Sequence, residues 1–111
     1  MHYVNAMARS GPYRSVIVES FTPYDTSGRH GFVHIHPILG QVFAPSLFVE
    51  CSKRLMDTSR YPLGTKFRLN AKLTDRLGGT PFLYAYHGDP DVVVSDEEAA
   101  EFLRGLEGGR I

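Results

Sequence analysis

A chain of 111 residues, 42% hydrophobic and 22% charged, is long enough for one core and too short for two. A single cysteine, Cys51, excludes an internal disulfide and a four-cysteine zinc site. The net charge of zero hides a split: residues 1–88 carry ten basic against five acidic side chains, a net of +5, and residues 89–111 carry two against seven, a net of −5.

Residues 1–12 show no periodicity and end on Ser10-Gly-Pro12, the pattern of a flexible N-terminal segment. They hold no apolar run of signal-peptide type, and nothing downstream is apolar for long enough to span a bilayer, so a cytoplasmic protein is expected. Tyr13 to Phe21 is rich in β-branched residues (Val16, Ile17, Val18) and predicts the first strand. Thr22 to Gly28 is a loop punctuated by Pro23 and Gly28. The second strand is expected over about Gly31 to His36 and the third over Ser46 to Cys51, joined by the connection Pro37–Pro45. Strand alternation sends Val33 and Ile35 to one face with Leu47, Val49 and Cys51, and sends Phe32, His34, His36 and Phe48 to the other. The aliphatic row must be the buried one.

Ser52 to Ser59 fits one or two helical turns. Lys66 to Thr74 then alternates almost perfectly, with Phe67, Leu69, Ala71 and Leu73 inward and Lys66, Arg68, Asn70, Lys72 and Thr74 outward. Asp75-Arg-Leu-Gly-Gly79 closes a hairpin into a fifth strand at Pro81 to His87. Five strands, with a short helix between the third and fourth, are in the order of an OB-fold barrel. Ser95-Asp-Glu-Glu98 is a capping box, and Ala99, Phe102, Leu103 and Leu106 follow as one apolar stripe of a C-terminal helix that ends at Gly108-Gly109. The expected organisation is therefore a mainly β protein: a flexible segment 1–12, a five-stranded OB-fold-like closed barrel over 13–88, and an acidic helix and tail over 89–111. The acids at the helix start also suit its dipole.

Two short motifs carry a family resemblance. Gly31-Phe-Val-His-Ile35 resembles the Gly-Phe-Gly-Phe-Ile motif of cold-shock domains, and Leu47-Phe-Val-Glu50 resembles their Val-Phe-Val-His. Leu63-Gly-Thr-Lys-Phe67 is similar to the opening of the fourth strand in that family. The resemblance covers about residues 13–87 and implies that Phe32 and Phe48 stack bases of single-stranded RNA or DNA, with His34 where the family has a further aromatic. Glu50 departs from the family histidine, the loop Phe21–Arg29 is longer than in a minimal member, and the C-terminal helix is additional.

The residues themselves point the same way. Flat rings on an open sheet face stack nucleobases, and Phe32, His34, His36 and Phe48 form such a set. Arg29, Lys66, Arg68 and Lys72 supply positive charge for a phosphate backbone. The bland alternative is that the cations solvate an outer face while the rings lie under a loop or the final helix. A zinc site built from His30, His34, His36 and Cys51 is not expected, because Cys51 belongs to the inner row. No nucleophile elbow, phosphate loop or zinc-protease motif is present, so neither an enzyme nor a cofactor is expected. The other class is a protein-interaction module, with Phe102, Leu103 and Leu106 forming a homodimer seam or a contact with a protein partner.

Overall fold

A computed structural model describes residues 11–23 and 33–108, with the side chains of 107 and 108 excepted. The strands are β1 (Arg14–Phe21), β2 (His34–Pro37), β3 (Val49–Glu50), β4 (Lys66–Thr74), β5 (Phe82–Ala85) and β6 (Val93–Val94). A 3-10 turn at Lys53–Met56 lies between β3 and β4, and one helix, α1 (Asp96–Gly108), follows β6. The strands form one sheet in the order β2-β1-β4-β5-β3, with β6 also on β4. β3 and β5 run parallel, and the other pairs are antiparallel. The sheet curls so that its end strands, β2 and β3, approach each other. The result is a nearly closed five-strand barrel.

Alternation explains the interior. Val16 and Val18 of β1, Phe67, Leu69 and Ala71 of β4, and Leu83 and Ala85 of β5 all point inward and are buried. Ile35, Val49 and Cys51 complete the wall. Leu55 closes one end from the 3-10 turn at 2% exposure, a burial contributing roughly 1.5–3 kcal/mol. Leu73, the last residue of the inward row, is exposed instead although its partner Leu83 is buried, because the β1 pairing with β4 ends at Ala71.

β1 also has a buried outer residue. Ile17 lies between Val16 and Val18, faces away from the barrel core, and is still 0% exposed. Its cross-strand neighbour is Arg68, whose guanidinium lies 5.9 Å from the ring centroid of Phe102 on α1. Leu103 of α1 sits over Gly40, so close that a Cβ there would meet its methyls at 3.4 Å. Gly40 also has a φ of +101°, the left-handed region that suits glycine. The apolar stripe of α1 is thus laid on the outer face of its own barrel, with Phe102, Leu103 and Leu106 half-buried and Ala99 buried.

Where β2 ends, a side chain continues the ladder. Gln41 Oε1 accepts from the Ile17 N–H at 2.8 Å, and Gln41 Nε2 donates to the Ile17 carbonyl at 2.8 Å and the Ile38 carbonyl at 3.1 Å. The primary amide thereby reproduces the donor and acceptor of a missing strand residue.

The capping box forms as expected: the Ser95 N–H donates to Glu98 Oε1 at 2.8 Å, and the Glu98 N–H to Ser95 Oγ at 3.0 Å. The third strand is shorter than Ser46 to Cys51, β2 is shifted toward Pro37, and β6 is an element the alternation pattern did not predict. Among the described residues no helix is long and apolar enough to cross a membrane.

Candidate functional site

The parallel register of β3 and β5 pairs Glu50 with Tyr84 and Val49 with Leu83. Because Val49 and Leu83 point into the core, alternation sends Phe48, Glu50, Phe82 and Tyr84 outward. β4 extends these rows, since Thr74 lies opposite Phe82 and Lys72 opposite Tyr84. One row therefore reads Phe48, Phe82, Thr74, and the next reads Glu50, Tyr84, Lys72.

The rings meet across these rows. Phe48 is 61% exposed, and its centroid lies 6.4 Å from that of Phe82 at an interplanar angle of 57°. Tyr84 stacks with His87 at 6.0 Å. Lys72 Nζ is 5.2 Å from the centroid of the exposed Tyr13 ring. Arg76, from the β4–β5 hairpin, lays its guanidinium 4.7 Å from the Phe82 centroid and donates from Nη2 to Glu50 Oε1 at 2.7 Å. The negative charge of Glu50 is thus paired within the ring cluster. A cleft of about 320 Å³ lies beside it, walled by Phe48, Phe82, Arg76 and the hairpin residues Gly79, Thr80 and Pro81. At the hairpin tip Leu77 is 80% exposed with a φ of 50°, an uncommon backbone for a residue with a Cβ.

The remaining predicted residues sit elsewhere on the outer surface. His34 and His36 of β2 lie against Phe21 of β1, with centroids at 5.6 and 4.4 Å. A chain of polar contacts runs on from them: His36 Nε2 is 3.6 Å from Glu19 Oε1, Lys66 Nζ 3.3 Å from Glu19 Oε2, and Lys66 Nζ 2.9 Å from Asp96 Oδ1. The hydrogen bond to Asp96, helped by Glu19, holds the Lys66 ammonium above its ordinary pKa range. Lys66 and Arg68 are therefore engaged by the start and the apolar stripe of α1, whereas Lys72 belongs to the ring cluster. Phe32 and Arg29, with His30 and Gly31, lie outside the described residues.

Two other features limit the chemistry. Cys51 is in the inner row, where burial pushes its thiol up to about 12, so it is neither a nucleophile nor a partner for the outward His34. At the closed end of the barrel, Arg54 grips Asp91 with Nε at 3.2 and 3.3 Å and with Nη2 at 2.8 Å. It also donates to the Asp89 carbonyl at 3.0 Å, and Tyr61 Oη donates to Asp91 at 2.8 Å. This network straps the segment after β5 to the 3-10 turn and is structural in character. Tyr13, Arg76, Phe82 and Tyr84 were not among the residues read from the sequence as a site. The signal for two of them was present in Phe82-Leu-Tyr-Ala85, which alternates as plainly as β4 does.

Compared with protein-family models, curated proteins and solved structures, the chain has no match in any of the three.

Proposed function

We propose that the chain is a divergent OB-type barrel, cold-shock-like in its third strand, that binds single-stranded RNA or DNA on the outer face of β3, β5 and β4 without catalysis. The observation that carries this reading is the cluster of rings Phe48, Phe82, Tyr84 and Tyr13, with Arg76 and Lys72 set among them on one sheet face. Aromatic faces with adjacent cations suit a single strand, because every base has a π-face and every linkage a phosphate. The parallel β3–β5 pair and the strand order support the OB assignment. In this reading Phe48 and Phe82 stack bases and Arg76 and Lys72 meet phosphates. His34 and His36 supply a flanking aromatic surface, whereas Lys66 is engaged by Glu19 and Asp96 and Arg68 by Phe102 of α1. A partner contact through Phe102, Leu103 and Leu106 has less support, because that stripe is already laid on the barrel.

The test is fluorescence anisotropy with labelled DNA and RNA single strands of about 12 nucleotides, within the span of one such barrel, at about 50 and 200 mM salt. Binding should weaken steeply with salt, and Phe48→Ala and Phe82→Ala should each cost roughly 1–3 kcal/mol while leaving the circular dichroism spectrum unchanged. Absence of binding to both strands at the lower salt would overturn the reading.

A further inference from the structure

The ring cluster carries a polar pair whose hydrogen-bonding pattern is more specific than stacking requires. Arg76 Nη2 donates to Glu50 Oε1 at 2.7 Å, which engages one oxygen of the carboxylate. Among the described residues Glu50 Oε2 has no hydrogen-bond partner. A carboxylate offers about four acceptor positions and a guanidinium five donors, so both groups keep capacity for a ligand. Arg76, with Phe48 and Phe82, walls the cleft of about 320 Å³, a space ample for one nucleobase, and its hydrogen bond ties Glu50 to that wall. The pair thus sets guanidinium donors beside carboxylate acceptors.

Resting on the single-strand reading above, we infer that this pair makes the site selective for guanine. The Watson–Crick edge of guanine presents O6, N1–H and N2–H in sequence, an acceptor followed by two donors. Arg76 would donate to O6, and the Glu50 carboxylate would accept from N1–H and N2–H while the base lies on Phe48. No other base matches all three positions. Thymine and uracil match at O4 and N3–H, but their O2 faces the second carboxylate oxygen. Cytosine and adenine place ring acceptors, N3 and N1, where Glu50 needs a donor. Exposed bases of a single strand offer these edges freely, as duplex bases do not. The departure of Glu50 from the cold-shock histidine, a liability for stacking alone, becomes the source of base choice.

The experiment uses labelled heptathymidylates whose central residue is dT, dG or deoxyinosine, titrated against the full chain and against Glu50→Gln. The full chain should bind the dG strand about tenfold or more tightly than all-dT, the order of discrimination a bidentate contact supplies. Inosine, which lacks only the N2 amino group, should fall between them. Glu50→Gln, whose amide can accept from thymine N3–H and donate to its O2, should lose the dG preference by gaining affinity for all-dT and losing it for dG. Equal affinity of the full chain for dG and dT, or for dG and inosine, would overturn the guanine assignment and leave the stacking reading standing. Failure of all the strands to bind would strike the stacking reading itself. The inosine arm needs no protein variant, so it decides the matter even if Glu50→Gln does not fold.

Discussion

Replacing Gln41 by leucine tests whether a side-chain amide holds the rim of this barrel together. The change keeps approximate volume and removes three hydrogen bonds, at 2.8, 2.8 and 3.1 Å. The three backbone groups do not suffer equally. The Ile17 carbonyl keeps the Ile38 N–H at 3.1 Å, whereas the Ile17 N–H, on a residue that is 0% exposed, loses its acceptor. An orphaned buried donor costs about 1–3 kcal/mol, and each of the two carbonyl bonds contributes about 0.5–1.5 kcal/mol. Gln41 is half-buried, so water can recover part of this, and the expected loss is about 3 kcal/mol. For a domain of this size that lowers Tm by roughly 10–20 °C. Gln41→Glu adds a sign test. Its carboxylate would face two carbonyls, which raises its folded pKa above the unfolded value near 4.3. Its penalty is then absent below that pH and grows as pH rises toward the folded pKa. Thermal and urea unfolding followed by circular dichroism, at about pH 4 and pH 7, should find Gln41→Glu closer to the parent at the lower pH. A Gln41→Leu protein that melts within a degree or two of the parent, or a Gln41→Glu deficit equal at both pH values, would refute the argument.

Other outcomes follow from the same structure. Ending the chain after Ser95 should expose Ile17 and the outer face of β1, costing several kcal/mol at roughly 1.5–3 kcal/mol per large apolar side chain; urea unfolding of the truncated chain checks it. Cys51, its thiol pushed up to about 12 by burial, should resist a thiol reagent at neutral pH in the folded chain and react at once in denaturant. The Arg54 hydrogen bonds hold the Asp91 carboxyl below its ordinary value. Their stability is present above the unfolded Asp pKa of about 3.9 and is lost as pH falls through the lower folded pKa. Asp91→Asn should therefore flatten the acid limb of a stability–pH curve and leave the alkaline side unaltered in shape.

Much of the fold was legible because alternation is a strong signal where one face is buried. The bounds of Lys66–Thr74 and the inward places of Phe67, Leu69 and Ala71 were legible, Leu73 excepted, and the capping box located the start of α1. β6 was not legible: Val93-Val94 is too short for periodicity and exists because β4 has an open flank beyond β5. The second layer was legible in retrospect, since three consecutive aliphatics at Val16–Val18 mean that both faces of β1 are covered. The site was read in part. Phe48 was placed outward from its own strand, but its neighbour Phe82 arrives through a parallel pairing 34 residues on, which only the register reveals. The pairing of Arg76 with Glu50 was hidden for the same reason, since it joins a hairpin to a strand across the sheet.

The strap at Arg54–Asp91 and the contact Lys66–Asp96 fix the acidic segment against one end of the barrel. The acids of the first helical turn, Asp96, Glu97 and Glu98, therefore gather near the start of β4, while Lys72 and Arg76 lie toward its far end. Lys72 lies six residues along β4 from Lys66, about 20 Å at about 3.3 Å per residue, and Arg76 lies beyond the end of the strand. The exposed acids of the helix start therefore stand apart from the ring cluster and do not face it. On the proposed single-strand reading, a polyanion is repelled from the helix start and is left to approach the sheet face away from it. That repulsion weakens as added salt shortens its range.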